Sequence, residues 1–432
     1  MKKKRRGISI LAVMVLVFSL LAACGPTSSH KSVGKNEPAS TNEGDSKEIK
    51  PEKGAKLKVW ESGGAIGEWT KYVAEEFTKK YGVPVTFEEV GHTDAPEKLK
   101  TDGPAGLAAD VFAAPHDHLG SMVSAGLVLE NFFPEEYQDK FMKSAIEGTT
   151  VDGTLYGYPT SIETYALFYN KDLVKKLPKT MDELITQAKE LTDIRNNKYG
   201  FMMEVANLYF VYSFIGGYGG YVFGDNNTNP KDIGLNNEGA VKAGKLMQRI
   251  HKEILPLKVE DITYDVKQSL FNEGKLAFNI DGPWAVAGHR DAGVNFGVIP
   301  LPKLENGQTP TSFSGIRAFY VNAYTKYPNA ASLFAKFATS EEMLLKRFEM
   351  TGQLPPVQSL LDNETIKNDE IASAFLEQAK YAVPMPNIPQ MPMVWEPMAS
   401  ALTTIWNDGK DPKEALDAAV DQIKAGIATQ GQ

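Results

Sequence analysis

Hydrophobic and polar positions divide the chain into three stretches of different character. A basic stretch, residues 1–6, precedes an apolar run over 8–23 that is broken only by Ser9 and Ser19. From Gly25 to about Ala55 the residues are Ser, Lys, Glu, Asn, Pro and Gly, with almost nothing apolar. Periodic patterns begin after Lys56. Residues 57–60 alternate as a strand should, and Ile66, Trp69, Val73, Phe77 and Tyr81 then recur at helical spacing before Gly82 as a stop. Residues 85–87 and 110–114 predict two more strands, the second followed by a loop at His116-Asp117 and a helix. This alternation is that of a doubly wound α/β lobe.

The pattern continues with a strand at 166–170 and a capping box at Thr180-Met181-Asp182-Glu183, ahead of a helix reaching about Leu191. Gly234-Leu235-Asn236 introduces a helix carrying Val241, Leu246 and Ile250. Strands are predicted at 276–280, 296–300 and 318–322, and from Asn329 onward the chain reads as mainly helical. Asp411 is placed to cap the last helix, with Pro412 in its first turn. No internal repeat is visible.

A basic start followed by an apolar run is the layout of a secretory signal peptide, predicted over 1–23. The run is short for a spanning helix of roughly 20 residues, which disfavours an uncleaved anchor. It ends in Leu21-Ala22-Ala23-Cys24-Gly25, which resembles the bacterial lipobox, so Cys24 is the expected site of lipidation. Cys24 is also the only cysteine, and no intramolecular disulfide can form. Residues 24–55 read as a lipid anchor and disordered tether, because so polar a segment cannot offset its ordering entropy by burial. The remaining chain exceeds what one core commonly holds, so two lobes are expected. A net charge of -8 without a basic stripe argues against nucleic acid.

Enzyme templates are missing: there is no G-x-S-x-G elbow, no H-E-x-x-H helix and no phosphate loop ending in Gly-Lys-Ser/Thr. The Gly-rich stretch 216–220 lacks the following Lys and reads as a helix-terminating loop. His116-Asp117-His118 is the most metal-like triplet, but it would need further ligands to complete a coordination shell. A polar loop at a strand's end is the simpler reading, and such loops are where α/β folds place ligand contacts. Trp284, directly after a predicted strand, and Trp395, after the Pro-rich stretch 384–392, are the more informative residues. Each is either core or a platform whose broad face stacks on the C–H face of a sugar, with carboxylates accepting from its hydroxyls.

At this point the chain resembles the maltose and maltodextrin binding proteins of bacterial ABC importers. The matches include Leu57-Lys58-Val59-Trp60, His116-Asp117, Tyr169-Asn170-Lys171-Asp172-Leu173, Gly219-Gly220-Tyr221, Asn279-Ile280-Asp281-Gly282-Pro283-Trp284, and Pro386-Asn387-Ile388-Pro389-Gln390-Met391 before Trp395. The last is the most specific. The resemblance implies a two-lobed periplasmic-binding-protein-like α/β fold, each lobe a sheet flanked by helices, with a hinge between. The N-terminal lobe would take residues 56–162 plus 316–366 and the C-terminal lobe 163–315 plus 367–432, with crossings near 161–164, 313–316 and 364–368. It further implies that Asp117 and Glu163 accept sugar hydroxyls, that Tyr209, Trp284 and Trp395 stack on glucose rings, and that His118 donates where enterobacterial relatives have arginine.

Two departures bear on specificity. Those relatives have an Asn-Gly-Asp-Lys contact loop where this chain reads Glu61-Ser62-Gly63-Gly64-Ala65, so Glu61 and Ser62 are expected in the site, with Glu61 or Glu68 compensating for the missing charges. Ala114 and Pro115 stand where they place a tryptophan. The expected function is reversible capture of maltose or longer α-1,4-glucans and delivery to a membrane permease, by a monomer without cofactor or covalent step. It would be lipid-anchored on the outer face of a Gram-positive type membrane. The rivals are a receptor for another oligosaccharide, a surface-tethered glycoside hydrolase with two carboxylates roughly 5 to 9.5 Å apart, and a metal-binding importer component built on His116 and His118.

Overall fold

The computed structural model describes residues 49–430; the predicted signal peptide, Cys24 and the tether up to residue 48 lie outside them. Strand β1 (Leu57–Glu61) lies between β2 (Val85–Glu89) and β3 (Val111–Pro115), parallel to both, with Val59 opposite Phe87 and Val111. A small hairpin, β4 (Thr150–Val151) and β5 (Thr154–Leu155), turns on Asp152 and Gly153, both at positive φ. That is the backbone a two-residue Asp-Gly hairpin needs. The chain then forms β6 (Tyr158–Glu163), β7 (Ala166–Asn170), β8 (Tyr199–Met202), β9 (Asn229–Ile233), β10 (Leu276–Asp281), β11 (Phe296–Ile299), β12 (Phe313–Val321) and β13 (Val383–Pro384).

Apart from β9 and the small hairpin, these strands build two sheets. The first runs β13-β12-β3-β1-β2, with β6 also pairing to β12; the second runs β11-β7-β10-β8. In the first, the pleat sends neighbouring residues to opposite cores. Val59, Val111 and Phe319 pack on one face with Trp69, Phe77 and Phe334, while Trp60, Phe112 and Tyr320 pack on the other with Leu119 and Met122. In the second, every residue of β10 is buried, as expected of a central strand covered on both faces.

Local signals account for the helices. The predicted positions Ile66, Trp69, Val73 and Phe77 are the buried face of the Gly64–Tyr81 helix, which ends where Gly82, at φ 69°, donates its N–H to Thr78. Thr180 caps the Met181–Leu191 helix and Glu183 reaches back to the Lys179 N–H. Asp411 accepts from the Glu414 N–H at the start of Pro412–Gln430. β12 begins five residues before the predicted strand at 318–322, because Ser314 and Gly315 hide its alternation. β6 gave no pattern at all, since its buried residues include Pro159, Thr160 and Ser161.

Between β6 and β7 the chain passes from the first sheet to the second in two residues, Thr164 and Tyr165. The Thr164 hydroxyl donates to the Phe313 carbonyl at 2.9 Å and bonds the Ser312 hydroxyl at 2.8 Å, tying this passage to the return at the head of β12. The described end of the predicted tether, residues 49–55, is packed against the first core. Glu52 accepts the N–H groups of Asn329 and Ala330 at the start of the Pro328–Ala338 helix, and Ala55 is buried. Ordered chain therefore starts ahead of Lys56.

Candidate functional site

Asp117 stands in a single 3-10 turn, His116–His118, directly after β3. It is only 2 % exposed. One carboxylate oxygen, Oδ2, accepts from the Trp395 indole N–H at 3.1 Å; the other, Oδ1, is buried with no hydrogen-bond partner. His118 Nε2 lies 3.8 Å from Oδ2.

His116 does something else. Its Nδ1 accepts from the Ile316 N–H at 3.0 Å, so the ring proton sits on Nε2 and is donated to the Met385 carbonyl at 3.0 Å. Burial lowers its pKa, which favours this neutral form. Both nitrogens are occupied, so His116 is a staple between β12 and the 383–391 segment and offers no lone pair to a metal. Among the described residues no cluster of three His, Cys, Asp or Glu is arranged to hold one.

The Pro-Asn-Ile-Pro-Gln-Met segment positions Trp395 at long range. The Asn387 amide donates to the carbonyls of Glu147, Gly148 and Thr150, and the Gly120 N–H donates to the Asn387 carbonyl. A Cβ at Gly120 would collide with that carbonyl, so only glycine allows the approach. The segment then enters the Pro392–Asn407 helix, whose first turn carries Trp395.

Tyr209 and Trp284 are set by local devices. Asn207 caps the Leu208–Gly217 helix through the Tyr209 N–H. The Tyr209 ring packs 5.0 Å from Tyr165 and 6.2 Å from both Phe313 and Trp284, and its buried hydroxyl has no partner. Burial and the nearby Glu163 carboxylate push this phenol well above its usual range, so it remains a neutral donor. Trp284 follows β10 and folds over Gly282, where any Cβ would run into the indole. Trp284 and Trp395 are each half-buried.

Glu163 ends β6. Its Oε1 accepts from Gln353 at 2.7 Å and Ser161 at 3.3 Å, with Arg317 at 3.7 Å, while Oε2 makes no hydrogen bond among the described residues. Glu61 differs from expectation: it is fully buried, and both its oxygens are taken by Arg317, with the Ser62 N–H also on Oε1. A carboxylate so buried must be paired, so it anchors Arg317 from beneath while half-buried Ser62 receives a guanidinium N–H at 2.8 Å. Glu68 is exposed and pairs with Lys71 on the helix surface.

Sequence reasoning overlooked several residues here. Arg317 is the one charged residue of β12, a signal that could have flagged it. Arg347, fully buried over the Trp69 ring, has its pKa lowered to about 10 by burial and by Arg317, against the pull of Glu61. Lys267, also fully buried, pairs with Asp281 under the rings of Phe210 and Tyr264, 3.9 Å from Glu204. Burial raises the Glu204 pKa. The arrangement supplies acceptors, donors and ring faces to a neutral, hydroxyl-rich ligand.

A family model described as bacterial extracellular solute-binding protein matches residues 72–374. The galactooligosaccharide-binding protein of Bacillus subtilis (strain 168) is 37% identical over 98% of both chains. A maltooligosaccharide ABC transporter solute-binding lipoprotein of Streptococcus pneumoniae (strain ATCC BAA-255 / R6) is 33% identical, again over 98% of both. The Thermus thermophilus maltotriose binding protein, solved with maltotriose, superposes with a TM-score of 0.81 at 29% identity, over 86% of this chain and 100% of that one.

Proposed function

This chain belongs to the bacterial extracellular solute-binding protein family, and from that premise we propose that it binds maltose and longer α-1,4-glucans between two lobes and delivers them to an ABC permease. One observation carries the reading: the unpartnered, buried Asp117 Oδ1 and Tyr209 hydroxyl stand among three half-buried aromatic rings. Leaving a buried polar atom unpaired costs about 1–3 kcal/mol, which a sugar hydroxyl would recover. Tyr209, Trp284 and Trp395 would stack on the C–H faces of the rings, while Asp117, Glu163 and His118 meet the hydroxyl edge and Ser62, its hydroxyl taken by Arg317 and His92, positions its neighbours. Glu61 acts through Arg317.

The lobes in this proposal are 56–162 plus 316–366 and 163–315 plus 367–432, with the packed residues 49–55 added to the first. The crossings at 161–164 and 313–316 form the hinge, and 364–368 the third passage. Ligand would bias the lobes toward closure by contacting both. Lipidation of Cys24 would hold this monomer on the outer membrane face of a Gram-positive type cell, and Cys24→Ala should abolish membrane retention while leaving sugar affinity unchanged.

Capture of a galactooligosaccharide is the second reading, favoured by the 37% identical relative. No bond-breaking step is proposed. Isothermal titration with maltotriose and with a galactooligosaccharide separates the two, and absence of heat with maltotriose alongside binding of the other sugar defeats the maltodextrin assignment. Shorter products from maltoheptaose would reveal a hydrolase instead.

A further inference from the structure

We propose that His92 is an additional sugar-contacting residue, a neutral Nε2–H donor beside Ser62 that helps select the bound sugar. The inference rests on the reading that the cleft is a sugar site, and it starts from the Ser62 hydroxyl. Ser62 Oγ accepts the His92 backbone N–H at 3.2 Å and the Arg317 Nη2–H at 2.8 Å, which occupies both of its lone pairs. Its one proton is therefore directed to the remaining neighbour, His92 Nδ1 at 3.3 Å. A neutral imidazole that accepts at Nδ1 carries its proton on Nε2.

That Nε2–H makes no hydrogen bond among the described residues, and His92 is half-buried, so the group is open to a ligand. Its surroundings keep it uncharged: burial, then the positive charges of Arg317 and Arg347 and the neighbouring His118, hold His92 well below the ordinary histidine range. Arg317 is itself fixed by Glu61 beneath and lies beside Glu163, so the donor is held in register with a cleft carboxylate. The group recognised would be a hydroxyl or ring oxygen of a neutral sugar.

The test uses the full chain and whichever of maltotriose and a galactooligosaccharide the wild type binds. Long-range 1H–15N NMR of the free protein should show His92 as the Nε2–H tautomer, shifting on sugar addition. His92→Phe should weaken binding about tenfold, the size of one lost hydrogen bond. His92→Gln, which can restore a donor, should recover most of that loss, and equal melting temperatures would separate binding from folding. Unchanged affinity in His92→Phe, or a proton on Nδ1, would overturn the proposal while leaving the sugar receptor intact. A wild type that binds neither sugar overturns both.

Discussion

The candidate site has a polar side and an aromatic side that are held in place by opposite means. Glu163 and Arg317 lie on strands of the first sheet and Ser62 directly follows one, and they are fixed by ion pairs and hydrogen bonds to groups far along the chain: Glu61 to Arg317, Glu163 to Gln353. Tyr209 and Trp284 follow strands of the second sheet and are fixed by their neighbours, Asn207 as a cap and Gly282 as the bed for the indole. Trp395 links the two, since its indole N–H ends on Asp117. Packed aromatic surfaces tolerate modest change, whereas a buried charge has no cheap alternative partner. The polar side should therefore be brittle and the aromatic side graded.

Breaking one ion pair should give the largest effect. Arg317→Met strips buried Glu61 of its guanidinium hydrogen bonds and leaves it only Arg347, 3.9 Å from Oε2, as a cationic partner, with an expected loss of about 3–5 kcal/mol in denaturant unfolding. Arg317→Lys, which keeps a cation beside Glu61, should regain much of it, whereas removing Glu61 as well would orphan buried Arg347. If Arg317→Lys is no more stable than Arg317→Met, the pair is not what holds this side together.

The next effect sets a pH limit on the second lobe. His289 is fully buried among Phe168, Phe271 and Phe296, and burial holds its pKa at about 4, below the ordinary 6.5. The folded form thus prefers the neutral ring, so its contribution is complete above pH 6.5 and is lost as the pH falls toward 4, where the unfolded chain binds the proton first. Unfolding free energy should drop by about 2 kcal/mol from this residue between pH 7 and 5. His289→Phe should flatten that dependence; an unchanged slope would assign it to other groups.

Smallest, and confined to binding, are the stacking rings. Trp284→Ala and Trp395→Ala should each weaken sugar affinity severalfold or more without unfolding the protein, from about 1 kcal/mol of ring geometry plus lost contact area. Trp395→Ala should cost more, because it also frees Asp117 Oδ2. Unchanged affinity in both would make these rings core and nothing else.

The two sides also differed in how far they could be read from residues alone. The helix caps at Thr180 and Asp411, the buried face of the Gly64–Tyr81 helix and the Trp after β10 depend on residues a few positions apart, and their patterns were visible. β6 and the head of β12 carry polar and small residues in buried positions, so no alternation marked them. Glu61 was expected to face sugar because its partner lies 256 residues away, and nothing local says that a carboxylate is already paired. His116 could be read only as a polar loop residue, with a metal ligand as the rival, for the same reason: its donor and acceptor partners are residues 316 and 385.

The central claim is that one sugar engages both sides together. Isothermal titration of maltotriose into wild type, Asp117→Asn and Trp284→Ala tests it most directly. The account predicts saturable binding to wild type and weaker binding after either change, with both variants still folded. Undiminished affinity in either folded variant, or no heat in the wild type, would contradict it.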